Sequence, residues 1–78
     1  MEKQTVRCIK KTETEEVRVL LGTFKDKDYV DIRLFYHDQA AGEWRPTKKG
    51  VTIRRDLLSS LLEGLKKCEE IYSQAQTS

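Results

Sequence analysis

Apolar and polar residues alternate along two segments of the chain, 16–24 and 29–36. In a β-strand every second side chain lies on the same face, so each alternating segment predicts a strand with one buried face. The polar "KDKD" between the segments predicts a hairpin turn. The predicted buried face consists of Val17, Val19, Leu21, Val30, Ile32 and Leu34.

Weaker strand signals flank this hairpin. "TVRCIK" (5–10) alternates weakly and predicts at most a short first strand, whereas the charged stretch 10–16 predicts no ordered element of its own. "EWRPT" (43–47) predicts a short third strand. Pro46 requires this strand to be at a sheet edge or to bend, because proline donates no hydrogen bond to a neighbouring strand. "KGVTI" (49–53) predicts the last strand.

From Asp56 onward the apolar residues recur every three or four positions, which predicts an amphipathic helix. Gly64 within it either marks a close approach of another element or is tolerated at a cost of about 1 kcal/mol relative to alanine. The apolar stripe consists of Leu58, Leu61, Leu62, Leu65, Cys68 and Tyr72, and it is widened by Leu57 and Ile71.

Strands followed by one helix predict an α+β fold, an antiparallel sheet with the helix packed on one face. The other face is then exposed and carries Arg18 and Arg33. We divide the chain into an N-terminal extension with a short strand (1–16), one domain (17–72) and a frayed tail (73–78).

A single domain of 78 residues buries only a thin core. Oligomerisation is the expected source of further buried surface, because the helical stripe is too broad for one small sheet to cover. We therefore predict a homodimer whose interface includes Leu57, Leu58, Leu61 and Leu65.

The two cysteines, Cys8 and Cys68, form no C-x-x-C pair, so we expect free thiols in a reducing compartment and no zinc site. No apolar run reaches the roughly 20 residues that span a bilayer, and the first residues lack the apolar core of a signal peptide. We expect an intracellular protein without membrane contact, in the cytoplasm or nucleoid of a prokaryote or the nucleus of a eukaryote.

The net charge of +2 is unevenly distributed. Residues 17–55 carry nine basic and five acidic side chains, a net charge of +4, whereas 1–16 are neutral and 56–78 carry −2. A polyanion is the natural partner of such a basic segment. The alternative is an ordinary solvated surface, since lysine is common on small soluble proteins.

No constellation of residues indicates catalysis. His37 stands beside Asp38 in a predicted exposed turn, without a cysteine or acidic cluster at metal-ligand spacing. Ser59 and Ser60 belong to the predicted helix, remote from His37, so no activated nucleophile is indicated. No Gly-rich phosphate loop is found. We expect neither an enzyme nor a bound metal or cofactor.

Aromatic and basic side chains are interleaved on the predicted strands and turns. Unpaired bases stack on aromatic rings while phosphates follow a cationic groove, so this mixture suits a single-stranded nucleic acid. The alternative for Phe24 and Trp44 is a place at the rim of a thin core. The candidate residues are Arg18, Phe24, Lys25, Lys27, Arg33, Tyr36, Trp44, Arg45, Lys48 and Lys49.

Three motifs occur in order, "TFKDK", "VDIR" and "PTKKGVT", and a leucine-rich helix follows them. Together they resemble the single-stranded-DNA-binding domain of the positive cofactor four family, the transcriptional coactivators of eukaryotes and their small bacterial, archaeal and phage relatives. The resemblance covers roughly Val17 to Glu70. "GEWRPTKKGV" is most similar to the compact prokaryotic members.

The resemblance implies a homodimer of four-stranded curved antiparallel sheets, each followed by one helix, whose channels bind single strands with little sequence preference. It implies that Phe24 stacks on a base and that Tyr36 takes the place of a stacking tryptophan. The basic contacts that it implies are Lys25, Lys27, Arg33, Arg45, Lys48 and Lys49.

The sequence departs from the family pattern at Gly22, where eukaryotic members carry a basic residue, and at Arg54, which replaces a helix-capping polar residue. The turn 37–42 is one residue longer. These departures leave two classes of function open. One is a homodimer that binds single-stranded or melted DNA, with the transcription machinery as a further partner. The other is an adaptor for an acidic protein, or an RNA-binding module, on the same fold.

Overall fold

The structure, a computed structural model, describes residues 2–76 and consists of one antiparallel sheet followed by one helix. The strands are β1 (Glu2–Thr12), β2 (Glu15–Phe24), β3 (Lys27–Asp38) and β4 (Glu43–Arg54), and they lie in the order β1-β2-β3-β4. A 3₁₀ turn, Arg55–Leu57, leads into the helix α1, Leu58–Gln76. The predicted α+β class, four antiparallel strands and a C-terminal helix, is confirmed.

Regular pairing between β2 and β3 defines the two faces of the sheet. Directly paired residues share a face, and neighbours along a strand lie on opposite faces. The pairs Val17–Leu34, Val19–Ile32 and Leu21–Val30 form what we call the apolar face. The pairs Arg18–Arg33, Leu20–Asp31, Gly22–Tyr29 and Phe24–Lys27 form what we call the basic face. The predicted apolar set therefore shares one face, as expected. Its predicted burial is wrong, because only Val30 of the set is buried, whereas Leu20 and Phe35 are buried on the basic face, which was predicted to be exposed.

The N-terminal extension forms a full-length strand. β1 pairs with β2 from Glu2 to Thr12, with irregularities after Thr5 and Lys10. The stretch 10–16, for which no order was predicted, supplies the ends of both strands. Apolar alternation missed β1 because it is an edge strand that is exposed on both faces, and its order comes from backbone bonds to β2.

The two short strands predicted at 43–47 and 49–53 are one strand. β4 pairs with β3 on both sides of an irregularity, where Arg33 faces Gly50 and Phe35 faces Pro46. Two extra residues on β4 are thus accommodated in a bulge. Pro46 is tolerated because β4 is an edge strand, as predicted.

The helix leaves the sheet instead of packing on it, which corrects the expected placement on one face within the chain. Leu58 and Leu61 are half-buried near its start, whereas Leu57, Leu62, Leu65 and Ile71 are 43–53% exposed. A side chain at Gly64 would meet no atom within 4 Å. The helix includes residues 73–76, so the predicted tail is helical there, and residues 77–78 lie outside the described range.

Few hydrophobic side chains are buried by the chain alone. Among the described residues, those that are buried are Leu20, Val30 and Phe35. Leu21 and Val51 of the apolar face are about half exposed. The molecule is accordingly thin, with extents of 47 × 35 × 18 Å. No helix in the described range is long and apolar enough to cross a membrane.

Candidate nucleic-acid interface

The basic face presents side chains of all four strands in rows across the sheet. Next to the Phe24–Lys27 pair of the β2–β3 hairpin, a row that crosses all four strands consists of Lys3, Gly22, Tyr29 and Arg54. Successive rows toward the other end are Leu20–Asp31–Thr52, Arg18–Arg33–Gly50, Phe35–Pro46 and His37–Trp44. Aromatic rings therefore lie at both ends of this face, with arginines and a buried carboxylate between them.

The β2–β3 hairpin displays an exposed aromatic ring beside lysines. Its two-residue turn, Lys25–Asp26, has positive φ angles of 53° and 64°, as in a type I′ turn, which matches the twist of the flanking strands. Phe24 before the turn is 53% exposed, and the Nζ atom of Lys25 lies 5.3 Å from the centroid of its ring. Lys27 pairs with Phe24 across the hairpin. The predicted set Phe24, Lys25 and Lys27 is thus brought together.

Arg33 is held by groups of the protein itself. Its Nε atom donates to both carboxylate oxygens of Asp31, at 3.2 and 3.1 Å, and its Nη1 atom donates to the carbonyl oxygen of Thr47 at 3.0 Å. Lys3 of β1 donates to the same carboxylate at 3.1 Å. Arg33 therefore joins the middle of β3 to the bulge of β4.

Asp31 is 2% exposed and is the buried charged residue of the described chain. Burial raises the pKa of its carboxyl, but the hydrogen bonds from Arg33 and Lys3 outweigh burial and hold that pKa below its usual value. The carboxylate is therefore ionised at neutral pH, and it compensates part of the charge of both partners.

The bulge of β4 carries two exposed lysines, Lys48 and Lys49. Thr47 Oγ1 donates to the carbonyl oxygen of Leu34 at 2.8 Å and accepts from the backbone N–H of Lys49 at 3.1 Å. Lys48 and Lys49 are exposed, and neither has an ion-pair partner within 4 Å among the described residues. Their charges remain available to an anionic ligand.

The far end of the basic face is a packed cluster of rings. The guanidinium carbon of Arg18 lies 4.5 Å from the ring centroid of Phe35 and 5.8 Å from that of Trp44, and Arg18 Nε donates to Glu16 at 2.6 Å. The centroids of His37 and Trp44 are 5.1 Å apart. His37 is half-buried in β3, so its predicted place in an exposed turn is wrong.

Two predicted site residues lie on the opposite face. Tyr36 follows Phe35 along β3 and pairs with Arg45 on the apolar side. Arg45 Nε donates to Asp38 at 2.8 Å, and this hydrogen bond is the main reason that the pKa of Asp38 is lowered. The structure therefore separates Tyr36 and Arg45 from Arg33 and Phe24. Their predicted contacts with nucleic acid stay predictions.

A groove of about 410 Å³ opens on the basic face beside the hairpin. It is lined by Lys3, Phe24, Lys27, Asp28, Tyr29, Asp31, Arg33, Thr52 and Arg54. Sequence analysis missed Tyr29, Lys3 and Arg54 as site residues. Alternation already placed Tyr29 on the same face as Arg33. No local sequence pattern connects Lys3 with a groove on β3 and β4.

Metal-ligand clusters and disulfides are both absent from the described part of the chain. Residues 2–76 contain no group of three or more side chains that could hold a metal ion. Cys8 and Cys68 are both exposed and unbridged.

The chain is similar to known proteins in both sequence and structure. The family model described as Transcriptional Coactivator p15 (PC4) matches residues 11–64, more than half of the chain. The RNA polymerase II transcriptional coactivator SUB1 of Saccharomyces cerevisiae is 39% identical over 46 residues, which are 59% of this chain and 16% of that protein. The chain thus corresponds to a small part of the yeast relative.

Two solved structures are similar over most of their length. A PC4 homolog from Burkholderia pseudomallei has a TM-score of 0.80 at 29% identity, covering 87% of this chain and 90% of that one. The bacteriophage T5 homolog of PC4, described as implicated in recombination-dependent DNA replication, has a TM-score of 0.66 at 25% identity, covering 97% and 83%.

Proposed function

Because the chain belongs to the PC4 family of transcriptional coactivators, we propose that it binds single-stranded DNA on its basic face, with little preference for sequence. The observation that carries this proposal is the hairpin end of that face, where the exposed ring of Phe24 stands beside lysines. A ring of this kind can stack on an unpaired base, whereas the bases of a duplex already stack on each other.

The phosphates of the bound strand are proposed to contact lysines that the protein leaves unpaired. Lys27, Lys48 and Lys49 have no ion-pair partner within 4 Å in the described range. Arg18 and Arg33 are already engaged with Glu16 and Asp31, so we assign them mainly to holding the surface in shape. Free cations supply affinity without reading sequence, since phosphates are the same at every nucleotide.

We also propose that the functional unit is a homodimer that covers the stripe on α1. Leu57, Leu62, Leu65 and Ile71 of the stripe are 43–53% exposed in one chain, and Leu21 and Val51 of the apolar face are also about half exposed. Exposed apolar surface of this extent marks an interface. Tyr36 and Arg45 lie on the apolar side of the sheet, opposite the proposed DNA-binding face. The bound DNA would contact them only if it passed around the sheet from the basic face to the apolar face.

Fluorescence anisotropy tests the proposal. The purified protein is titrated into labelled oligonucleotides of one length, a DNA single strand, the corresponding duplex and an RNA strand, at two salt concentrations. We expect the DNA single strand to bind more tightly than the duplex and all affinities to fall with salt. Equal affinity for single strand and duplex would contradict the proposal, and tighter binding of RNA would reassign the ligand.

A further inference from the structure

The side chain of Tyr29 lies across the backbone of Gly22 on the basic face. The two residues are paired between β2 and β3. A Cβ atom at position 22 would stand 2.3 Å from Tyr29 Cζ and 2.5 Å from its Oη, which is closer than non-bonded atoms in proteins approach each other. Gly22 has no positive φ, so the backbone does not require glycine here. The space that glycine leaves is therefore used by the tyrosine ring.

Packing of the Tyr29 ring, and not a hydrogen bond of its hydroxyl, holds this side chain over Gly22. The Tyr29 hydroxyl is buried and has no hydrogen-bond partner among the described residues. A buried hydroxyl without a partner costs free energy. Packing of the ring over Gly22 must therefore hold the side chain in place, and the role of Tyr29 should be sought in its aromatic surface.

That ring forms one wall of the groove beside Phe24, whose volume of about 410 Å³ is in the range of small-ligand sites, ~300–1,000 Å³. The groove combines two aromatic side chains with cations at its rim. Lys27 has no ion-pair partner in the described range, and Arg54 is paired with Asp56 at 3.4 Å in an exposed contact. Asp31 at the floor is already neutralised by Lys3 and Arg33.

We propose that this groove accommodates one unpaired nucleobase against the ring of Tyr29, with the flanking phosphates near Lys27 and Arg54. The inference rests on the proposed function and adds a second aromatic position next to Phe24. A base has apolar faces that suit the two rings, and its phosphates suit the cationic rim. A base within a duplex does not fit, because its faces are covered by its neighbours.

The test uses the full chain and four variants, with oligodeoxythymidine and an abasic strand of the same length as probes. Tyr29→Leu should weaken binding of oligodeoxythymidine by about 5- to 150-fold and leave binding of the abasic strand unchanged. Gly22→Ala, which displaces the ring, should act in the same direction. Tyr29→Phe should restore the affinity that Tyr29→Leu loses. Gly64→Ala is the matched control, because a side chain there meets no atom within 4 Å.

Thermal melting of each variant shows whether it is folded, so that binding affinities are compared only between folded proteins. Wild-type affinity in folded Tyr29→Leu and Gly22→Ala would overturn the inference. Equal losses in Tyr29→Phe and Tyr29→Leu would overturn the assignment to the ring. Both outcomes differ from a failure of the proposed function, in which the wild-type protein itself would not distinguish the single strand from the duplex.

Discussion

Phe24 is the residue whose exposure is hardest to explain by folding. It stands just before the β2–β3 turn, on the basic face, and is 53% exposed. The ammonium group of Lys25 lies 5.3 Å from the ring centroid. An exposed ring next to a cation is well placed to receive a base and its phosphate together.

Replacement of this ring gives the first prediction. Phe24→Ala should weaken single-strand binding by about 5- to 150-fold, because stacking contributes roughly 1–3 kcal/mol per base, and it should change duplex binding little. Anisotropy titrations measure the effect. Val6→Ala is the control, since it also removes an exposed apolar side chain, on β1 and outside the stripe. A large drop in melting temperature with unchanged affinity would show that Phe24 is structural.

Asp31 gives a prediction about pH. Its pKa is lowered in the folded protein, so the folded state binds a proton less readily than the unfolded chain, where the pKa is about 3.9. Its contribution to stability is therefore complete above the unfolded pKa and is lost as the pH falls through the folded pKa. Urea denaturation should show a falling free energy of unfolding below about pH 5.

Asp31→Asn is the matched variant for this measurement. It removes the carboxylate that holds Arg33 and Lys3, so it should be less stable than the wild type at neutral pH. Its free energy of unfolding should then vary less between about pH 5 and pH 3. An identical pH dependence in the variant and the wild type would assign the effect to other carboxyls, such as Asp38, whose pKa is also lowered.

At the scale of elements, the bulge in β4 determines how the lysines of "PTKKG" are presented. A regular strand would direct Lys48 and Lys49 to opposite faces. The bulge instead interrupts the pairing of β4 with β3 between Pro46 and Gly50. Two hydrogen bonds hold it to β3, one from Arg33 to the carbonyl oxygen of Thr47 and one from the Thr47 hydroxyl to the carbonyl oxygen of Leu34. A fixed bulge on an edge strand presents both lysines to solvent without a competing carboxylate in the described range.

The double variant Lys48→Ala/Lys49→Ala tests this element. For single strands the logarithm of the binding constant falls with the logarithm of salt by about 0.7 per phosphate contact. The slope should therefore flatten by about 0.7 for each contact that is lost. Lys66→Ala/Lys67→Ala on α1 removes the same charge far from the basic face and should keep the wild-type slope. Unchanged slopes in both variants would place the DNA elsewhere.

At the scale of the whole molecule, one chain does not close its own core. Its sheet is a single layer and its helix extends beyond the sheet, so much of the stripe on α1 and part of the apolar face stay exposed among the described residues. A layer of this kind is stable when a second layer packs on it. A symmetric dimer provides that layer with an identical surface and needs no other component.

Sedimentation equilibrium at micromolar concentration should give twice the chain mass of 9.1 kDa. Leu65 is about half exposed, so Leu65→Asp loses little packing within the chain and should yield monomers or unfolded protein. Ser59→Asp adds the same charge on another side of α1 and should remain dimeric. A stable, well-folded wild-type monomer under these conditions would contradict the dimer.

The sequence by itself determined the features that depend on neighbours along the chain. Alternation in 16–24 and 29–36 assigns each side chain to a face, because the direction of side chains in a strand repeats every two residues. The polar run "KDKD" located the turn within 25–28, of which the structure uses Lys25–Asp26, and the spacing of three and four residues located the stripe on α1. Family motifs added the residues of the hairpin and of the bulge.

The tertiary structure decided what depends on residues far apart in the chain. β1 is ordered by backbone bonds to β2, which leave no apolar signature, and β4 is continuous because pairing with β3 resumes after the bulge. Lys3 reaches Asp31 across an intervening strand, and the ring of Tyr29 takes the space that Gly22 leaves. Such contacts arise from register between strands, and register is set by the whole sheet instead of by the composition of any one segment.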